Sequence, residues 1–267
     1  MFEFPFITQI ENDTLKFHNF WVKPLTQEII DEMKKVRKVI FPPSFNHPIQ
    51  ELPNNIEIII FGFEFNKPIN QWPENLRKLK FYGKFNQSID NLPNGLEKLI
   101  IDSAFNKSID NLPASLKYLY LGHEFNQSID NLPNNLLFLE IGDSFNKTVD
   151  FLPSSVVVLK LGSEFDNSID NLPNSIVSLQ LGIKFNQGIG VFPGGLRIII
   201  FGGLFNQSIN HLPDTVELIK LSDRFRMSFD KLPNSLKKIV IPKYYPHKLP
   251  VTGAKVRREK MGGLIML

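Results

Sequence analysis

Cysteine is missing from all 267 residues of this sequence. Its absence excludes disulfide bonds, thiolate zinc sites and cysteine nucleophiles. Long apolar runs are also missing, because no stretch approaches the roughly 20 apolar residues that a membrane-spanning helix needs. Residues 1–14 contain acidic side chains and no basic stretch followed by an apolar one, so we expect no secretory signal. These absences predict a soluble cytoplasmic protein without membrane contacts.

A strong charge of either sign is missing as well, since the formal net charge is only +3. The positive excess lies beyond residue 241, where six basic residues stand against one acidic residue. The rest of the chain is therefore close to neutral, which argues against nucleic acid as a partner. We interpret the basic end, which includes residues 255–260, as a solvated and partly disordered terminus, with a localisation or nucleic-acid patch as the alternative.

A catalytic constellation is the third absence. The five histidines, at positions 18, 47, 123, 211 and 247, are scattered along the chain. Neither a nucleophile elbow nor a glycine-rich phosphate loop is present. We therefore predict that the protein is not an enzyme and has no catalytic residue, cofactor or metal.

What the sequence has in abundance is a repeat with a period of 20 residues. Phenylalanine recurs at this spacing from residue 45 to residue 225 without one insertion, and proline does so from residue 53 to residue 233. Such strict internal periodicity predicts a solenoid with one coil per repeat. An asparagine follows the phenylalanine in most copies, at Asn46, Asn66, Asn86, Asn106, Asn126, Asn146, Asn186 and Asn206.

Each copy contains one short segment in which apolar and variable residues alternate, as in Tyr118–Leu121. Such alternation predicts a strand with one buried and one free face. Twenty residues leave no room for a full crossover helix, so like strands should stack in parallel about 4.8 Å apart. The return path carries Phe105, Ile109 and Leu112, whose spacing suits a short turn. We thus predict an α/β-type repeat solenoid with one parallel β-sheet face, a short 3₁₀ or extended convex side, and little helix outside an N-terminal cap.

Two polar columns accompany the apolar ones. A short amide such as Asn126 carries a donor and an acceptor, so we predict that the asparagine column is a structural ladder for backbone groups of successive coils. For the second column, a cation ladder is one interpretation. We favour side-chain caps on turn amides, because two carboxylates one coil apart repel by only about 1 kcal/mol in water. This column contains Asp90, Asp110, Asp130, Asp150 and Asp170.

The repeat resembles two related families. The spacing of Leu116, Leu119 and Leu121 is similar to that of the leucine-rich repeat. The phrase Phe-Asn-x-x-Ile-x-x-Leu-Pro at residues 125–133 resembles the FNIP repeat, a subgroup known from slime moulds and giant DNA viruses. The resemblance covers residues 36–241 and implies a solenoid for protein–protein interaction, in the host cytosol if the chain is viral. Some members join these repeats to an F-box, which implies the alternative of a substrate-recognition adaptor for a ubiquitin ligase.

The free (concave) face of the strands is the predicted binding site for a protein or peptide. Its residues are not needed for the core, yet several are apolar, and contiguous exposed apolar surface marks contact sites. Aromatic anchors with basic neighbours suit such a partner, although parallel strands favour aromatic and β-branched residues anyway. The predicted contact residues are Lys78, Lys80, Lys98, Tyr118, Tyr120, Phe138, Glu140, Lys160 and Gln180.

Some strands are apolar on both faces, as at residues 58–61 and 198–201. We expect a second copy of the protein or a folded-back terminus to cover their free face. A homodimer or a self-assembling structural protein is therefore a further alternative. The predicted self-association residues are Ile58, Ile60, Ile198, Ile200 and Leu218.

The terminal coils need caps because they would otherwise expose the core. We predict an N-terminal cap over residues 1–35, with a hairpin near residues 11–14 and a short helix over residues 26–37 that begins at Thr26. The repeats occupy residues 36–241. Pro242 is expected to end the ladder, and residues 242–267 form a C-terminal cap and basic tail.

Overall fold

The computed structural model describes residues 7–259, and the chain divides into two compact units. Among the described residues, the first unit contains residues 7–127 and 131–136, and the second contains residues 128–130 and 137–259. Within each unit the strands pair in the order in which they follow one another along the chain. No helix between residues 7 and 259 has the length and apolar character needed to cross a membrane.

A hairpin begins the sheet of the first unit. Strand β1 (Ile7–Glu11) pairs antiparallel with β2 (Thr14–Phe17), and Asn12 and Asp13 connect them with positive φ angles. Asn and Asp tolerate this left-handed conformation better than other non-glycine residues, which suits a two-residue connection. The following strands all pair in parallel, and they are β3 (Lys38–Ile40), β4 (Ile58–Phe61), β5 (Lys78–Phe81), β6 (Lys98–Ile101) and β7 (Tyr118–Leu121).

The helix α1 (Gln27–Met33) connects β2 to β3. Thr26 caps its first turn, because the hydroxyl oxygen accepts a hydrogen bond from the Ile29 N–H at 3.5 Å. The predicted extension of the helix to residue 37 is wrong. The Arg37 N–H donates instead to the Asp13 carbonyl at 3.1 Å, which attaches the start of the first coil to the hairpin.

The second unit repeats the same parallel pairing. Successive strands are offset by one period, so that Leu179 lies opposite both Leu159 and Ile199. Its strands are β8 (Phe138–Ile141), β9 (Val158–Lys160), β10 (Ser178–Gln180), β11 (Ile198–Ile200), β12 (Leu218–Lys220), β13 (Lys238–Pro242) and β14 (Lys255–Glu259). The predicted leucine-rich-repeat-like coil with one parallel strand per repeat is confirmed in both units.

The last strand corrects two predictions about the C-terminal end. The ladder does not stop at Pro242, because β14 pairs with β13 in parallel after an interval of 17 residues, with Lys255 opposite Lys238. A partly disordered terminus is also wrong for the segment Lys255–Glu259, although its side chains are mostly exposed. The Glu259 carbonyl accepts the Lys243 N–H at 2.8 Å and extends this pairing. Residues 260–267 of the predicted tail lie outside the described residues.

The interior of each coil holds the apolar columns. The phenylalanine of every repeat is buried, and consecutive rings stack with centroids 5.9–6.3 Å apart in the first unit and 5.8–6.2 Å apart in the second. This spacing is within the range of favourable aromatic pairs. On the return path, the Leu116 N–H donates to the Pro113 carbonyl at 3.0 Å, which is the hydrogen bond of a 3₁₀ turn.

The asparagine column joins successive coils through its side-chain oxygens. Asn46 Oδ1 accepts the backbone N–H of Asn66 at 3.0 Å, and the same bond recurs further along both units. Because this bond needs an acceptor alone, the carboxylate of Asp166 can replace an amide and accepts the Asn186 N–H at 2.9 Å. Arg226, which breaks the sequence pattern, still donates its backbone N–H to Asn206 Oδ1 at 2.7 Å, but its guanidinium has no acceptor to continue the column.

Candidate functional site

The free side of strands β2–β7 in the first unit forms one continuous face. Alternate strand residues such as Leu79 are buried in the core, so the residues between them point away from it. The parallel register places equivalent residues side by side. We name this surface the lysine face, and it consists of Thr14, Lys16, Lys38, Ile40, Ile58, Ile60, Lys78, Lys80, Lys98, Ile100, Tyr118 and Tyr120.

The lysine face carries five lysines and no carboxylate. The edge strand β1 adds one carboxylate, Glu11, opposite Thr14. Charges in the neighbouring column pair with each other instead: Arg77 Nη1 lies 2.9 Å from Glu97 Oε1, and Lys117 Nζ lies 3.6 Å from Glu97 Oε2. Between residues 10 and 259, no ion pair involves a lysine of the lysine face. The part of the chain that the structure describes therefore leaves this positive charge without a paired carboxylate.

Aromatic rings occupy the β7 end of the lysine face. Lys98 Nζ lies 5.8 Å from the ring centroid of Tyr118 and 4.8 Å from that of Tyr120. Both distances are within the range of cation–π attraction. Tyr118 is 39% exposed and Tyr120 is half-buried, so their rings present contact area to a partner. The structure thus brings together the predicted contact residues of the first unit.

The remaining predicted contact residues lie on the strand face of the second unit. Lys160 Nζ is 3.3 Å from Glu140 Oε2 and 5.6 Å from the ring centroid of Phe138. Gln180 lies opposite Lys160 in the parallel register. The charges of this group compensate each other, so its electrostatic character differs from that of the lysine face. Whether it contacts a partner stays a prediction.

The predicted self-association residues are half-buried on the two strand faces. Ile58 and Ile60 belong to the lysine face of the first unit. In the second unit, Ile198 lies opposite Leu218, and Ile200 lies one coil beyond Gln180. Neighbouring strands cover part of each side chain, which leaves some apolar surface accessible. Coverage by a second copy stays a prediction.

A cavity of about 330 Å³ opens beside the lysine face in the first unit, and the sequence prediction missed it. Ile40 and Ile60 form its floor on the lysine face, and Phe63 and Tyr82 are exposed by 51% and 39% at its rim. The one signal in the sequence is Tyr82, which stands where most copies have a glycine directly after the strand. The other lining residues are Lys16, Phe17, Asn19, Phe41, Pro42, Pro43, Phe61 and Gly62.

Gly83 fixes the position of one rim aromatic. Its φ is +62°, and a Cβ at this position would lie 2.4 Å from the Phe63 ring. Only glycine therefore combines this backbone conformation with such a close approach. Lys80 brings a positive charge to the rim, with its Nζ 4.1 Å from the Tyr82 ring centroid, whereas Lys84 Nζ, 5.8 Å from the Phe63 centroid, is paired with Glu64 Oε2 at 2.6 Å.

The aspartate column has a local role in the turns. Asp90 Oδ2 accepts the Ser88 hydroxyl at 2.6 Å, and its Oδ1 accepts the Asn111 amide at 3.1 Å. The Ser88 bond, followed by the Asn111 bond, lowers the pKa of Asp90 below its ordinary value. Among the described residues, no group of three histidine, aspartate or glutamate side chains could hold a metal ion. Asp90 thus bonds side chains of its own turn and of the next coil, whereas Asp170 caps turn amides, because its Oδ1 accepts the N–H groups of Gly190 and Val191 at 2.8 and 3.2 Å.

The repeats that form the coils under both strand faces match a known family. A family model described as the FNIP repeat matches residues 45–81, 70–104, 85–124, 105–144, 125–164 and 145–184, which together span more than half of the chain. The chain belongs to the FNIP repeat family. The FNIP phrase lies on the return path after each strand, as at residues 125–133 after β7. FNIP membership therefore explains the coil, and the FNIP phrase itself contains no residue of the lysine face.

A solved structure agrees with the leucine-rich-repeat-like coil of the FNIP chain. It is similar to CroV588, described as a novel circular LRR protein, with 37% sequence identity and a TM-score of 0.80 over 86% of this chain and 36% of CroV588. The FNIP chain thus spans about a third of the length of that protein. A more distant similarity joins it to YopM from Yersinia enterocolitica WA-314, with 15% identity and a TM-score of 0.45 over 84% of this chain and 60% of YopM. No curated protein matches the sequence significantly.

Proposed function

We propose that this FNIP-repeat chain is a non-enzymatic cytoplasmic scaffold that binds a protein or peptide on the free face of its strands. The observation that carries the proposal is the lysine face, where unneutralised lysines adjoin the exposed ring of Tyr118. If these lysines served only stability, we would expect them to form ion pairs like that of Arg77 with Glu97 in the next column. Aromatic residues dominate the binding energy of protein interfaces, and solenoids use their extended faces for binding.

Affinity capture from cell extract tests this proposal. The full chain and its Tyr118→Ala/Tyr120→Ala variant serve as baits, and the protein retained by each is quantified by mass spectrometry. We expect the variant to retain about 10-fold less of the partner, because truncating aromatic anchors at an interface typically has effects of this size. Phe151→Ala is the matched control, since this ring is 66% exposed but lies outside the strands. Equal retention by the native chain and the double variant would contradict the proposal.

A self-assembling structural protein is the second candidate, and the apolar residues Ile198, Ile200 and Leu218 favour it. The same capture distinguishes the two functions. If the capture recovers only further copies of this chain, the function is self-assembly and the scaffold proposal is wrong. Recovery of ubiquitin-ligase subunits together with the partner would support the adaptor alternative. Phe138→Ala, tested in parallel, shows whether the strand face of the second unit contributes.

A further inference from the structure

The cavity beside the lysine face is suited to one apolar side chain. Most of its lining residues are isoleucine, phenylalanine or proline, and the polar side chains among them are those of Lys16, Asn19 and Tyr82. An apolar group that enters such a site loses contact with water without leaving a polar group unsatisfied. With about 330 Å³, the cavity is at the small end of binding pockets, so it suits a single side chain better than a folded element.

Lysines stand on both sides of the cavity floor. Along one column of the lysine face the register runs Lys16, Ile40, Ile60 and Lys80. Three strand spacings separate the two lysines, which amounts to about 14 Å. An extended peptide that crosses the strands covers this distance in about four residues, at about 3.3 Å per residue. Side chains two positions before and two positions after an anchor in the cavity would therefore reach Lys16 and Lys80.

The second column of the lysine face extends the positive charge. It contains Lys38, Lys78 and Lys98, which lie in register with the strands of the first column. None of these lysines has an ion pair in the part of the chain that the structure describes. Carboxylates of a bound segment would therefore meet cations that the fold has not already neutralised, and complementary charge favours such an encounter.

We propose that the lysine face binds an extended acidic segment of a partner protein, and that one bulky apolar side chain of this segment enters the cavity between Phe63 and Tyr82. The inference rests on the proposed function, since it specifies the partner chemistry of the same face. Carboxylates flank the anchor at alternate positions, because alternate side chains of an extended segment point to the same side. A nucleic acid fits less well, because a base in the cavity would bury its polar edge among apolar side chains.

Selection from a phage-displayed library of random peptides tests the inference directly. Peptides of about 12 residues suffice, since they can cross all strands of the lysine face when extended. The bait is the full chain. We expect the enriched peptides to be acidic and to contain one phenylalanine, tryptophan or leucine with acidic residues two positions away. Enrichment of neutral or basic peptides, or no enrichment, would overturn the inference.

Two variant pairs locate the site of the selected peptide by fluorescence anisotropy. Lys78→Gln/Lys80→Gln is expected to weaken binding by about 2- to 30-fold, the range for two exposed ion pairs. Its control, Lys107→Gln/Lys147→Gln, removes the same charge from exposed positions on the return path and should change binding less than twofold. Phe63→Ala should weaken binding by about 10-fold, whereas Phe151→Ala should not. Equal weakening of peptide binding by the Lys78/Lys80 variant and its Lys107/Lys147 control would overturn the inference. Equal weakening by Phe63→Ala and Phe151→Ala would do so as well.

Oligouridylate of about 12 nucleotides is the competing probe, because single-stranded nucleic acid also combines cations with aromatic rings. The inference would be overturned in favour of nucleic acid if the native chain bound this probe more tightly than the selected peptide and Lys78→Gln/Lys80→Gln abolished binding of the probe. Failure of the acidic-segment inference can be distinguished from failure of the proposed scaffold function. If the inference fails but capture still depends on Tyr118 and Tyr120, the strand face binds a partner of different chemistry.

Discussion

Replacing Phe165 by alanine is expected to lower the free energy of unfolding by about 3–5 kcal/mol, the usual loss for a large ring in a well-packed core. The ring is fully buried and stacks between Phe145 and Phe185, with centroid distances of 6.1 and 6.0 Å. Removing it deletes apolar contacts and leaves a void, because the coils on both sides are held by their backbone hydrogen bonds. Each coil of the ladder contacts mainly its neighbours, so the loss falls on the interface that joins them.

Urea unfolding followed by circular dichroism measures this effect, with Phe151→Ala as the matched control. Phe151 belongs to the same unit, but 66% of it is exposed, so its truncation should change the free energy of unfolding by no more than about 0.5 kcal/mol. The comparison holds the chemical change constant and varies only burial. Similar losses for both variants would show that the phenylalanine column does not hold the coils together.

Replacing Gly182 by alanine is expected to destabilise the second unit by about 3 kcal/mol, at the upper end of overpacking. A Cβ at this position would lie 1.7 Å from the carbonyl oxygen of Gly162 in the preceding coil. The same approach recurs at Gly202, whose Cβ would lie 1.9 Å from the Gly182 oxygen. The obstacle is backbone that takes part in the coil, so it cannot move aside without separating adjacent strands.

Gly188→Ala is the control for this prediction. A Cβ at Gly188 would meet no atom within 4 Å, and its φ is not in the left-handed region. The substitution should leave the free energy of unfolding unchanged or raise it by up to about 1 kcal/mol, because alanine restricts the unfolded chain. Calorimetric unfolding of both variants provides the measurement. A tolerated Gly182→Ala would mean that the coils are further apart than the structure places them.

The coil could be predicted from the sequence because its determinants recur. Phe105 has a phenylalanine at the equivalent position of every copy, and the position of Ile109 is apolar in every copy, so their burial follows from the period alone. The strands follow in the same way, since alternation such as that of Tyr118 with Leu119 shows which side is free. The charge column of Arg77 and Glu97 has the same period and could have been recognised as a series of ion pairs.

The ends could not be predicted in the same way because they do not repeat. The strand Lys255–Glu259 has no apolar alternation, and its pairing with β13 depends on backbone hydrogen bonds that side chains do not reveal. The helix ends at Met33, four residues before its predicted end. The Arg37 N–H bonds to the Asp13 carbonyl instead of continuing the helix. The sequence does not reveal this bond, because the two residues are far apart along the chain.

The candidate site was only partly accessible to prediction for a related reason. Lys78 and Tyr118 could be placed on one face because the strand register follows the period. The cavity depends on Lys16 and Asn19 from the hairpin region, whose alignment with β3 no repeat specifies. Its rim depends on Tyr82, one of several departures from the glycine column, and the sequence alone does not show that this ring lies beside Phe63, which packs on Gly83.

Removal of one whole repeat tests most directly the claim that each 20-residue period is one self-contained coil. Deleting residues 166–185 would join Phe165 to Asn186 and bring Val158 into register with Ile198, so every column continues. We predict that thermal unfolding of this shorter chain stays cooperative, with a circular dichroism spectrum like that of the full chain. Inserting one residue between Leu179 and Gln180 should abolish cooperative unfolding, because it shifts a strand to the wrong face. Loss of cooperativity on the clean deletion, or its retention after the insertion, would contradict the claim.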